Sequence, residues 1–387
     1  MTARPAPAGA ACSRRSFAGA LLLGLAGCAA PPEKPADDDD PGDRLWPKPP
    51  ERPRFVWEAD LRSAADIFED SDTDRTRRRL TGERLPTERV FDKPAAVAAR
   101  AGRIYVTDTV QRRVAVFDVP RRKVFVLGLR APGTLAKPTA LAIDGNRQLY
   151  VADSTLRKVF VYDALGLFQR TLGEPATLLR PTGVAVDSGG ERIYVVDRAD
   201  NDSELHRVLA FGADGRLLAE IGSRGSAPGQ FNIPVQAAVA PDGTLWVLDA
   251  GNFRVQAFDP AGRFLRAFGQ VGAGFGQFSR PRGVACDGEG NVYVSDAGFG
   301  NVQVFDPQGR LLIALGRAAR IDKPGRFGLV QGVGVDETGR VYIVDQLFNK
   351  VEVLRRLPGA EPRASLSRSG GGHAAASGDL YLTLDSM

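Results

Sequence analysis

The chain has 387 residues, with 51 Lys and Arg against 46 Asp and Glu for a formal charge of +5, 43% apolar content, 44 Gly, 26 Pro, 3 Cys and 2 His. This much apolar residue with so little net charge excludes wholesale disorder, and the sequence holds no run of 18 apolar residues that would cross a bilayer as a helix. Two histidines argue against a His-rich metal centre, and the Gly and Pro density favours many short strands joined by tight turns.

Residues 1–27 carry Arg4, Arg14 and Arg15 without an acid, then an apolar stretch from Phe17 to Ala26 and small residues before Cys28, the layout of an export signal. Leu25-Ala26-Gly27-Cys28 resembles the lipobox of bacterial lipoproteins, which implies lipidation of Cys28 and a membrane anchor in the cell envelope. Ser13-Arg14-Arg15-Ser16-Phe17 resembles the twin-arginine export signal, without its usual Leu after Phe. Ala29 rather than Asp after the cysteine implies the outer membrane, facing the periplasm or the cell surface. Processing would leave Cys286 as the lone free thiol, so no intramolecular disulfide is expected. Residues 28–53 read as a tether. Prolines keep it extended, and the run Asp37–Asp40 lacks the spaced ligands of a calcium loop.

The body repeats one unit six times. Six segments share a phrase: IYVTD (104–108), LYVAD (149–153), IYVVD (193–197), LWVLD (245–249), VYVSD (292–296) and VYIVD (341–345). Their aspartates recur 44 to 52 residues apart, a period that with several short strands per repeat marks a β-propeller. One copy shows the parts: strands at 281–287, 292–296, 301–306 and 309–316, joined by short Gly turns that make antiparallel hairpins. The sixth copy stops after its third strand at 351–354, while 54–61, β-rich, has no copy of its own. Placed outermost in blade six, 54–61 closes the ring and covers an open edge. The expected fold is all-β, a six-bladed propeller over 54–357 with four-stranded blades, followed by a low-complexity tail, 358–387. Within the tail, 380–384 alternates like a strand.

The span 54–357 resembles the NHL-repeat family of six-bladed propellers. Gly274-Phe275-Gly276-Gln277-Phe278 leading into Pro281-Arg282-Gly283-Val284 is the best fit, and in blade four Asn252-Phe253-Arg254 matches the family's Asn-His-Arg core with Phe for His. The family includes protein-binding modules, RNA-binding domains, sensor regions and relatives of the amidating lyase, so membership implies a fold and leaves the function open.

The repeated aspartates end second strands, away from the axis, and are expected to brace turns by pairing across the hairpin with Arg113, Lys158, Arg254 or Lys350. Tyr105, Tyr150, Tyr194, Trp246, Tyr293 and Tyr342 are expected to pack between blades. The loops from fourth to first and from second to third strands share one face and are long; blade three adds an insertion, 198–206, and residues 62–80, starting from a Ser63 cap, look helical. That face is basic, with Lys137, Arg180, Arg280 and Arg282 among its cations, and a basic concavity attracts anionic ligands. Thr139, Thr182, Gln236, Arg282 and Gln331, each just past the start of a first strand, are the expected ligand contacts at the channel mouth, with Arg180 and Arg280 beside them.

Lyase relatives in this fold use histidines around the channel, but here His206 lies in a loop and His373 in the tail; lactonase-type relatives use Glu, Asn and Asp on first strands, where this chain has Val, Ala, Gly and Cys. No catalytic residue, metal site or cofactor is therefore expected, and nucleic acid is disfavoured by export. The resulting expectation is a monomeric, non-enzymatic envelope scaffold that binds an envelope protein or an anionic glycan or peptide. The rival is a metal-dependent lyase or hydrolase with its site in the channel.

Overall fold

The computed structural model describes residues 44–68, 72–82, 87–173, 177–200 and 203–359. The export signal, Cys28, the tether to residue 43, His373 and the tail segment 380–384 lie outside the described residues.

Six antiparallel sheets follow one another along the chain. Their first strands are Pro94–Arg100, Pro138–Ile143, Pro181–Val186, Pro234–Val239, Pro281–Cys286 and Val330–Val335. First strands of successive blades touch, and blade six touches blade one, so they form a ring around an axis. The six-bladed all-β propeller read from the repeats is the observed fold.

Strand Phe55–Leu61 pairs antiparallel with Lys350–Arg356, from Phe55 opposite Arg356 to Leu61 opposite Val351. The missing fourth strand of blade six thus comes from the N-terminal side. One further strand was not read from the sequence: Leu45–Trp46 pairs with Val56 and Phe55 and gives blade six a fifth strand. Its prolines suggested an extended tether, but Trp46 is buried in the core between blades five and six. There it lies against the left-handed Gly325, where an added Cβ would come 2.2 Å from the indole. Apolar burial outweighs the composition of the flanks.

Core side chains fall into six clusters, one between each pair of neighbouring blades, including blades six and one. Strands alternate, so each blade is apolar on both faces and is buried only by two neighbours. Tyr105, Tyr150, Tyr194, Trp246, Tyr293 and Tyr342 are all buried in these seams, as expected. Three phenols also donate to the aspartate of the preceding turn: Tyr150 to Asp144 at 3.2 Å, Tyr293 to Asp287 at 3.0 Å and Tyr342 to Asp336 at 2.8 Å.

The segment expected as one helix over 62–80 is two pieces: a 3-10 turn, Ala64–Ile67, and an α-helix, Asp72–Thr81. The Asp66 carboxylate accepts the backbone N–H groups of Arg62 and Ser63, both at 2.7 Å, and so caps the first turn. Ile67 is buried and anchors that turn, while Leu80 on the helix is 82% exposed.

Candidate functional site

The repeated aspartates build the loop-rich face. Asp108, Asp153, Asp197, Asp249, Asp296 and Asp345 are all fully buried. Asp296 shows the arrangement: its carboxylate accepts the N–H groups of Ser279 and Arg280, just before the first strand, and of Gly298 and Phe299, in the turn after the second. Asp108, Asp153 and Asp345 do the same. Each therefore pins two loops of one blade together, and the expected ion pair across the hairpin is secondary. It forms at Asp249–Arg254, 2.9 Å, and at Asp197–Arg207, 3.5 Å. Arg113 instead donates to the Val90 carbonyl, and Lys350 pairs with other acids. Backbone N–H groups at a loop entrance need an acceptor whether or not a cation stands nearby, which is why they take the carboxylate first.

The first strands do not enter their sheets regularly. Each has a bulge at its start, between Pro138 and Ala140, Pro181 and Gly183, Pro234 and Gln236, Pro281 and Gly283, and equivalently in blades one and six. The extra residue is Thr139, Thr182, Val235 or Arg282. A bulge re-aims the side chain it inserts, and here these residues line a cavity of about 240 Å³ at the axial mouth, together with Gln236 and Gln331. Arg180 lines it too. Arg280 does not: it is exposed on the loop, and reaches the site only through its charge next to Arg282.

Two lining cations were not among the expected site residues. Lys137 precedes the first strand of blade two, as Arg180 does that of blade three. Arg198 follows Asp197, at a position filled by Thr109, Ser154, Ala250, Ala297 and Gln346 in the other blades. It is the one charged residue among six equivalents, a signal present in the repeat alignment.

The guanidinium groups of Arg198 and Arg282 are half-buried, and no carboxylate pairs with either among the described residues. The Nε of each is buried without a hydrogen-bond partner. Burial, then the charges of Arg180 and Arg282, hold the Arg198 group below the usual arginine range; burial and then Arg280 do the same to Arg282. Asp200 and Asp296 oppose these shifts without cancelling them. Like charges held together out of water are a standing cost that an anion would relieve.

The neutral lining is partly committed to the ring itself. Thr139 donates to the Pro181 carbonyl at 3.2 Å and Thr182 to Pro234 at 3.4 Å, each linking one blade to the next, and outside the lining Gln346 does the same to Pro94 at 3.0 Å. Ser295 donates likewise to the Gln331 carbonyl. The two threonine oxygens keep only lone pairs for a ligand.

The axis opens differently at its other end, where Arg100, Asp187, Asp287, Asp336 and Glu337 line a cavity of about 370 Å³. These acids mostly bind their own turns: Asp287 accepts from Glu289 and Asn291, and Asp336 from Thr338 and Arg340. Among the described residues, no three His, Cys, Asp or Glu side chains gather to hold a metal ion. His206 is buried, its Nδ1 accepting the Ile233 N–H at 3.2 Å and its Nε2 facing the Asp200 carbonyl at 3.3 Å, so it ties the blade-three insertion to blade four.

Comparison with known proteins places the fold. The NHL repeat family matches residues 231–258, which run from the loop into blade four through its third strand, rather than blade five, whose motif had looked the best fit. No curated protein sequence matches the chain. A protein of unknown function from Bacteroides thetaiotaomicron is similar in structure at 19% identity, with a TM-score of 0.57 over 78% of this chain and 76% of its own. A gluconolactonase of Xanthomonas campestris follows at 22% identity, TM-score 0.51, over 69% and 88%. An auxiliary nutrient binding protein from B. thetaiotaomicron matches at 12% identity, TM-score 0.52, over 69% of each chain. An enzyme and a binding protein thus share this architecture, and the likeness extends to the fold alone. With its repeats and its closed ring, the protein is a six-bladed β-propeller, one stretch of which, residues 231–258, matches the NHL repeat.

Proposed function

We propose that this protein is a non-enzymatic binding protein of the cell envelope, anchored through a lipidated Cys28, that holds an anionic ligand at the basic axial mouth. One observation carries the reading: Arg198 and Arg282 are half-buried, face one another's charge, and have no carboxylate partner among the described residues. Structural arginines are paired; unpaired ones in a concavity are what an anion site requires. A rigid ring presents them at little ordering cost.

The test is thermal unfolding of the detergent-extracted protein with phosphate, pyrophosphate and citrate, at low and high salt. Anions should raise the melting temperature, less so at high salt. Arg282→Glu should remove that shift, while Arg282→Ala leaves the unliganded protein as stable as before or more so, because a repulsion is lost. An unliganded Arg282→Ala protein that melts well below wild type, with anions adding nothing to either, would make these arginines structural and end the proposal. Metabolic labelling with a fatty acid tests the anchor: label lost in Cys28→Ala supports it, and label unchanged or absent refutes it.

A further inference from the structure

The axial mouth is not isolated. A second cavity shares Lys137, Ser154 and Arg180 with it and continues outward between blades two and three to Thr155 and Arg157. Lys137 and Arg157 make no ion pair and no side-chain hydrogen bond among the described residues, and Arg180 has only Asp200, 3.9 Å away and 95% exposed at its side chain. Among the described residues Asp200 is the one acid on this wall, against three cations. A small anion would be satisfied at Arg198 and Arg282 alone. A row of cations leading away from them fits a ligand whose charges are spaced along a chain.

The neutral groups narrow the class. Thr139 and Thr182 spend their protons on backbone carbonyls, so beside the cations the wall offers oxygen acceptors, which call for a ligand that also brings hydroxyl donors. Among the described residues no aromatic side chain lines either cavity, so nucleobases find nothing there to stack on. The apolar lining of the outer cavity is Leu179 and Ala199, which gives a peptide no pocket for an anchor side chain.

We infer that the ligand is a linear glycan bearing repeated carboxylate or phosphate groups. One anionic group lies between Arg198 and Arg282, and the chain runs out over Lys137, Arg180 and Arg157. The inference rests on the reading of the mouth as an anion site and adds the ligand's length, its hydroxyl groups and its direction.

The experiment is isothermal titration of the detergent-extracted, full-length protein with galacturonic acid and its dimer, tetramer and octamer. Polyribitol phosphate oligomers form the phosphate-bearing arm; neutral galactose oligomers, linear polyphosphate and oligo-dT are the controls. Affinity should rise about tenfold or more from dimer to octamer in at least one glycan arm, as added charges engage in turn, and the tighter arm identifies the anionic group. Arg157→Glu, an exposed residue that lines only the outer cavity, should flatten that dependence and leave the monomer's affinity unchanged, whereas Arg282→Glu should abolish binding of every length. Equal affinity for monomer and octamer, binding of phosphate or a monomer unaltered by the groove variant with no gain from length, or tighter binding of polyphosphate or oligo-dT than of either glycan would overturn the inference and leave the mouth reading standing. No binding of any anion, phosphate included, removes both.

Discussion

Lys350 offers the strictest test of how the ring is held shut. Its ammonium is fully buried and lies 2.8 Å from Glu352, 3.0 Å from Asp322 and 3.1 Å from Asp60. Asp60 belongs to the closing strand from the N-terminal side, Asp322 to the loop between blades five and six, and Glu352 to the third strand of blade six. A single cation thus joins segments 290 residues apart in sequence. Removing one partner of a buried charge cluster costs about 3–5 kcal/mol, because the others stay buried and uncompensated. A domain commonly has about 5–15 kcal/mol in total. Lys350→Met should therefore lose about 3–5 kcal/mol in equilibrium urea unfolding, and amide exchange should accelerate first in Phe55–Leu61, not in the strands of blade three. The repeat supplies a rescue. Gln256 and Gln303 stand where Glu352 does in blades four and five; each accepts a glycine N–H, from Gly229 and Gly276, and donates to a loop carbonyl, with no lysine beside it. Glu352 accepts the Gly325 N–H in the same way. Adding Glu352→Gln to Lys350→Met should recover part of the loss, with Arg62 still bridging Asp60 and Asp322 at 2.7 and 2.6 Å. A Lys350→Met loss below about 1 kcal/mol, with exchange at 55–61 unchanged, would refute the argument.

Other predictions follow from the same contacts. Burial raises the Glu352 carboxyl to about 7, with Lys350 opposing the shift. The folded state then holds a proton that the unfolded chain releases, so this group's contribution falls as pH rises from about 4.5 to about 7, by at most about 1.4 kcal/mol per pH unit. Urea midpoints across that window should show the slope, and Glu352→Gln should flatten it. Gly222 is left-handed at φ +79°, and an added Cβ would lie 2.3 Å from the buried Phe231 ring, so Gly222→Ala should cost about 2–4 kcal/mol in the same assay. Asp296→Ala orphans the N–H groups of Ser279, Arg280, Gly298 and Phe299. It should cost about 3 kcal/mol or more, with fast amide exchange in both loops it joins; a loss under about 1 kcal/mol would show that water replaces the carboxylate.

Much of the architecture was legible in the chain. Six copies of one phrase set the blade count, and the strand-like 54–61, unmatched by any copy, announced how the ring closes. The bias of long loops to one face set which end of the ring is elaborated, because hairpin alternation leaves no choice once strands are counted. Leu45–Trp46 was not legible, since two residues among prolines carry no periodicity, and only the absence of a Cβ at Gly325 leaves room for the buried Trp46 indole. The site was half legible. Thr139, Thr182, Gln236, Arg282, Gln331 and Arg180 were placed by counting from each first strand, and the tertiary structure brings them to one cavity. Counting could not show that a bulge turns Thr139, Thr182 and Arg282 toward the axis, since register is set by pairing with the second strand. Nor could it show that Arg280 stays exposed on its loop while Arg198, from the loop after a second strand, lines the cavity. Sequence determines which residues each blade offers. Which of them meet, and which cations are left without a partner, was decided only when six blades closed into a ring and put residues far apart in the chain into the same few ångströms.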